Sequence, residues 1–90
     1  MMNTRETVFI EGNVLANRLI GEKRQSYYIH RVMFGNGKYA IVRAQSGTCF
    51  PPGESLQRRD CEWFFENKKI RLLPFQYINE SESMRRLTEY

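Results

Sequence analysis

From residue 7 the apolar positions are spaced by two: Val8, Ile10 and Val14 alternate with polar residues, and Gly12 stands between them. A period of two belongs to a strand with one face toward a core. A glycine inside such a run marks a bulge or a bend. Residues 7–20 are therefore expected to form a strand bent near Gly12. The polar stretch Gly21-Glu22-Lys23-Arg24-Gln25-Ser26 has loop composition, and Tyr27 through Phe34 reads as a second strand. Gly35-Asn36-Gly37 contains Asn-Gly, the strongest short hairpin signal, and Lys38 through Ala44 follows as a third strand. Gln45 through Glu54 is a loop, carrying Ser46-Gly47 and Pro51-Pro52-Gly53.

The next segment, Ser55 through Phe65, fits either period. Leu56, Trp63 and Phe64 share a helix face, whereas Cys61, Trp63 and Phe65 share a strand face. A strand with room for a short helical turn is the expectation. Asn67-Lys68-Lys69 reads as a turn, and Ile70 through Leu73 as a last strand stopped by Pro74. Residues 79–90 offer only Met84 and Leu87 as helix-spaced apolars, which suits a frayed tail or a short helix. With 90 residues there is room for one domain. The fold class expected is all-β: a small five-stranded OB-fold-like barrel over residues 1–78, with a flexible polar C-terminal tail over 79–90. An SH3-like or Sm-like barrel has the same strand content.

The Asn-Gly turn also predicts a register. With Asn36 and Gly37 as the two central turn residues, Phe34 faces Tyr39, Val32 faces Ile41 and His30 faces Arg43. One face then carries Ile29, Met33, Ala40, Val42 and Ala44 as the core side, with Arg31 as its misfit. The other face carries Tyr28, His30, Val32, Phe34, Tyr39, Ile41 and Arg43. Rings and cations on one face suit single-stranded nucleic acid, because bases stack on aromatics while guanidinium forks meet phosphate. The plainer alternative is a hairpin buried on both faces, with Tyr28 and Tyr39 as core aromatics and Arg43 reaching to water along its stem.

Charge sharpens this picture. Ten of the 14 basic residues are arginine, and the net charge is +4. Between Arg18 and Arg43 lie six basic residues and one acid, Glu22; the final twelve residues carry three acids and two bases. Arg18, Lys23 and Arg24 are placed to follow a phosphate backbone. One His and two Cys are too few for a structural zinc site, so no cofactor or metal is expected. Gly35-Asn36-Gly37-Lys38 lacks the spacing of a phosphate loop. Glu62 and Glu66 read as a solvated pair of acids, and Cys49 and Cys61 as reduced thiols, so no enzyme is expected. Nothing near Met1 resembles a signal peptide, and no stretch has the length of a membrane span; a cytoplasmic protein is the expectation. The alternative function is a small β-barrel that binds an acidic partner protein through its basic face and a Trp63-Phe64-Phe65 patch.

The order of these pieces resembles the filamentous-phage gene V proteins, a family of single-stranded-DNA-binding OB-folds. The shared features are an opening strand and a basic loop ending in a tyrosine, Gly21-Glu22-Lys23-Arg24-Gln25-Ser26-Tyr27. A Gly-Asn turn follows with a tyrosine soon after it, Gly35-Asn36-Gly37-Lys38-Tyr39. Then come an aromatic-Pro-Gly loop, Phe50-Pro51-Pro52-Gly53, and an arginine in a closing apolar strand, Arg71-Leu72-Leu73-Pro74. The resemblance implies DNA contacts from Arg18, Lys23, Arg24 and Tyr27 or Tyr28, base stacking by Tyr39, and a phosphate contact from Arg71. It also implies a symmetric homodimer that coats single strands cooperatively, as in phage DNA replication, in the host cytoplasm. The stretch from Leu56 to Lys69 departs from the family pattern.

Overall fold

The computed structural model describes residues 9–22, 25–44 and 48–90. Strands β1 (Phe9–Glu22), β2 (Gln25–Phe34), β3 (Tyr39–Arg43), β4 (Ser55–Arg59), β5 (Glu62–Phe65) and β6 (Lys68–Ile70) precede one helix, α1 (Glu80–Glu89). The strands form a single antiparallel sheet in the order β3-β2-β1-β4-β5-β6. The first four make a Greek key, in which β4 returns to lie beside β1. The chain is thus all-β apart from α1. The described residues form six strands instead of the five expected, because Ser55–Phe65 divides into a hairpin of its own. Positive φ at Asp60 turns that hairpin, and positive φ at Glu66 and Asn67 makes the next one. The turn expected at Asn67-Lys68-Lys69 lies one position earlier, and both lysines belong to β6.

The sheet curls into a barrel-like shape without closing. Residues after β6 come round to the free edge of β3, where Ala44 bridges Leu72 and Tyr39 bridges Ile78. Phe75 and Tyr77 from this segment pack on Phe34, with ring centroids 5.9 and 5.2 Å away. Trp63 meets the same ring at 5.7 Å. The core beneath them is built from Val14, Val32, Val42, Phe50 and Leu56. Gly12 sits opposite both Phe34 and Leu56. A Cβ there would stand 2.7 Å from Val32 and 2.8 Å from Phe34, so the close approach of β1 to the core requires glycine.

The bend expected near Gly12 lies three residues later. Val14 pairs with Val32, but Ala16 pairs with Arg31, so Leu15 is an extra residue in a β-bulge. The bulge changes the phase of β1. Before it, the even residues Ile10, Gly12 and Val14 face the core. After it, Ala16 and Arg18 point outward, and Asn17 turns inward opposite His30. These two polar side chains hold the β3–β4 loop between them. The Phe50 N–H donates to His30 Nε2 at 2.9 Å, and Asn17 Nδ2 donates to the Phe50 carbonyl at 3.1 Å. His30 Nδ1 donates to the Val42 carbonyl at 3.1 Å, which fixes the neutral tautomer.

Two tests follow from this core. Gly12→Ala should destabilise the fold by about 1–3 kcal/mol, the usual effect of overpacking; a urea midpoint equal to the wild type would refute the packing account. His30 supplies the second. Burial holds its pKa below the ordinary 6.5, against the smaller opposing effect of the Val42 bond. Below about pH 6.5 the unfolded chain takes up a proton that the folded chain resists, so stability is full above that pH and falls as acid is added. The urea midpoint of the wild type should drop between about pH 7.5 and 5.5 by more than that of His30→Gln. Equal acid sensitivity in the two proteins would rule out the role given to His30.

Candidate nucleic-acid interface

The hairpin turn decides which side chains share a face. The Phe34 N–H donates to the Lys38 carbonyl at 2.8 Å and the Gly37 N–H to the Phe34 carbonyl at 3.0 Å. Gly37 has φ 80°, so the connection is a three-residue Gly35-Asn36-Gly37 loop, a type I turn followed by a left-handed glycine. Asn36 Oδ1 accepts the Lys38 N–H at 3.0 Å. Met33 therefore faces Tyr39, Arg31 faces Ile41 and Ile29 faces Arg43, one residue away from the expected register. A slip of one reverses the faces of a strand. His30, Val32 and Phe34 belong to the core, while Ile29, Arg31 and Met33 belong to the outer face.

This corrects the expected site in several respects. His30 is 0% exposed and fully occupied by backbone partners, so it is no surface contact. Tyr28 shares the side of His30 and Leu19, away from Tyr27 and Tyr39. Lys23 and Arg24 lie outside the described residues. Arg71 is exposed and edges an open cleft with Thr48, Trp63 and Lys69, apart from the hairpin face. The Trp63-Phe64-Phe65 run forms no common patch: Trp63 and Phe65 pack against the core. Phe64 turns the other way, under the Arg59 guanidinium at 4.8 Å. Cys49 and Cys61 are free thiols.

What the register does bring together is a ladder of arginines. Arg18, Ile29 and Arg43 lie side by side across β1, β2 and β3, and Ala16, Arg31 and Ile41 form the neighbouring row. Tyrosines flank them. The Arg43 guanidinium lies 3.6 Å over the ring of Tyr27, and that of Arg31 lies 5.2 Å from the ring of Tyr39. Arg43 Nε is buried and has no hydrogen-bond partner among the described residues. Ile29, between the cations, is 0% exposed.

Of the two forms expected for residues 79–90, a flexible tail or a short helix, the chain adopts the helix, α1, and it covers this face. Asn79 caps it, its side chain accepting the Glu82 N–H at 2.8 Å. Arg18 Nη1 donates to the last carbonyls, those of Leu87 at 2.8 Å and Thr88 at 2.6 Å. Arg31 Nε donates to Ser83 Oγ at 2.9 Å, and that hydroxyl donates to the Glu80 carbonyl at 2.7 Å. The Tyr39 hydroxyl donates to Glu80 Oε2 at 2.8 Å, which raises the Tyr39 pKa. Tyr90, at the helix end, sets its ring edge-on to Tyr27 at 6.2 Å; burial, then a hydrogen bond with Tyr27, raises its pKa. Arg31 and Ile29 were not assigned to this face from the sequence. The misfit of Arg31 on the expected core side was the available signal. For α1 it was Asn79-x-x-Glu82, a helix-start pattern.

Comparison of the chain with protein-family models, with curated proteins and with solved structures returned no match. Among the described residues no helix is long and apolar enough to cross a membrane, and no group of three or more His, Cys, Asp or Glu is placed to hold a metal ion.

The contact between Arg18 and the end of α1 is directly testable. A cation at a helix C-terminus is worth about 0.3–1 kcal/mol. Arg18→Ala should therefore speed amide exchange in the last turn of α1 while leaving exchange in β1–β3 unchanged. Unaltered exchange in that turn would show that Arg18 does not hold the helix.

Proposed function

We propose that the protein binds single-stranded nucleic acid, with single-stranded DNA as the first candidate, on the outer face of β1, β2 and β3. The observation that carries this reading is the register that sets Arg18, Arg31 and Arg43 on one face with Tyr27 and Tyr39. Guanidinium forks match phosphate oxygens. Each base stacked on an aromatic ring adds about 1–3 kcal/mol with little regard to its identity. Arg43 over Tyr27 sets a guanidinium and a ring together on this face, and its Nε has no hydrogen-bond partner among the described residues. The hairpin of β1 and β2 runs on past the last β3 pairing. The gene V resemblance implies the same chemistry and shares Arg18, Tyr27 and Tyr39 with this face; Arg31 and Arg43 join them here, while Tyr28 and Arg71 lie elsewhere.

Fluorescence anisotropy of a labelled oligo(dT), titrated with the full chain at several salt concentrations, tests this. Three phosphate contacts give a log–log salt slope of about −2 on a single strand. Arg43→Gln should reduce it to about −1.4, with Trp63 fluorescence reporting an unchanged fold. No binding at low salt, or a slope near zero, would overturn the proposal. Equal affinity for duplex DNA would overturn the single-strand part of it.

A further inference from the structure

Helix α1 lies on the face proposed to bind, and its contacts are chemically telling. To Arg18, Arg31 and two tyrosines it offers a carboxylate from Glu80, a hydroxyl from Ser83, the carbonyl oxygens of Leu87 and Thr88, and the ring of Tyr90. The two carbonyls stand at the negative end of the helix dipole. These are acceptor oxygens on guanidinium groups and a ring on a ring, the same two kinds of contact that phosphates and bases make.

The helix is also weakly held. Ser83 is its one buried residue; Met84 is 55% exposed, and Leu87 is half-buried. Ten residues are too few for a stable isolated helix in water, so its order depends on docking. Segments with little buried apolar surface open at low free-energy cost. Removing α1 uncovers Ile29 and leaves Arg18 and Arg31 without these partners, a face that a stacked polynucleotide covers again.

We propose that α1 is a built-in competitor of the polynucleotide: it occupies the arginine–tyrosine face in the free protein and leaves it, unfolding, when a single strand binds. The inference rests on the binding face proposed above and adds its regulation. Binding free energy is then spent partly on opening, and apparent affinity falls by the fraction of molecules with α1 detached.

Two variants of the full chain loosen α1 and leave every arginine and tyrosine of the face in place. Asn79→Ala removes the cap and should tighten oligo(dT) binding about fivefold, the equivalent of the roughly 1 kcal/mol that an N-cap supplies. Ser83→Pro breaks the helix interior and should tighten it further. In the wild type, amides of residues 82–87 should exchange faster with oligo(dT) bound than without it. If the proteins bind oligo(dT) with equal affinity and those amides stay protected in the complex, α1 is no competitor, while the binding function stands. If neither the wild type nor the loosened variants bind oligo(dT), the function fails and the competitor role falls with it. Binding by the variants alone would support both. An acidic peptide that binds the loosened variants while oligo(dT) does not would assign the face to a protein partner and overturn both.

Discussion

One extra residue in β1 sets the geometry of the whole molecule. Without the bulge at Leu15, the pairing of Val14 with Val32 would continue in step, placing Asn17 opposite Ile29 and Arg18 opposite Tyr28. Arg18 would then point to the core side, and Asn17 outward. Asn17 would lose the Phe50 carbonyl, half of the pair of bonds that holds the β3–β4 loop. Arg18 would lose Arg31 and Arg43 as neighbours, and α1 would lose its anchor at Leu87 and Thr88. The same insertion thus serves the core, by turning an amide inward, and the outer face, by completing its set of cations.

That outer face is costly to leave bare. Three guanidinium groups near one another repel, and an isoleucine between them is apolar surface in a charged setting. The protein compensates with a helix polar enough to supply acceptors and short enough to come away. The ion pairs of α1 are directed within the helix, with Arg85 and Arg86 on Glu82. Glu80 and the terminal carbonyls are turned toward the sheet. Helix and sheet are joined mainly by hydrogen bonds between polar groups and little by apolar contact, which is unusual for a helix packed on a strand surface.

Much of this was readable in the sequence, and the misses have physical causes. Alternation located β1, β2 and β3, because one face of each is buried and the other is not. Asn36-Gly37 marked the hairpin correctly, but the signal does not distinguish a two-residue turn from a three-residue one. Gly35 ahead of it admits the longer form with Gly37 left-handed. That single position moved His30 from the proposed surface into the core and Arg31 the other way. The composition could not show it, since Ile29 and Met33 look as core-like as Val32 and Phe34. The division of Ser55–Phe65 into two strands was hidden for a similar reason: Asp60 and Cys61 form a turn without glycine or proline. Residues 79–90 have only Met84 and Leu87 as helix-spaced apolars to mark a docked helix, because α1 docks through serine, glutamate and main-chain oxygens.

On the proposed reading, the two occupants of the face differ in how they respond to salt. Helix α1 presents one carboxylate to this face, from Glu80 to the Tyr39 hydroxyl, beside neutral acceptors, and it is covalently attached, so its local concentration is fixed. A single strand presents a charge at every nucleotide and releases counterions when it binds. Raising salt therefore weakens the strand far more than the helix. The competition is biased toward the closed form at high salt and toward the bound form at low salt, with no change in either set of contacts. A helix joined mainly by apolar packing would be held more tightly, and a strand would displace it only at a greater cost in binding free energy. The polar character of α1 is what makes it displaceable by a polyanion, and it ties the weak docking of the helix to the chemistry of the surface beneath it.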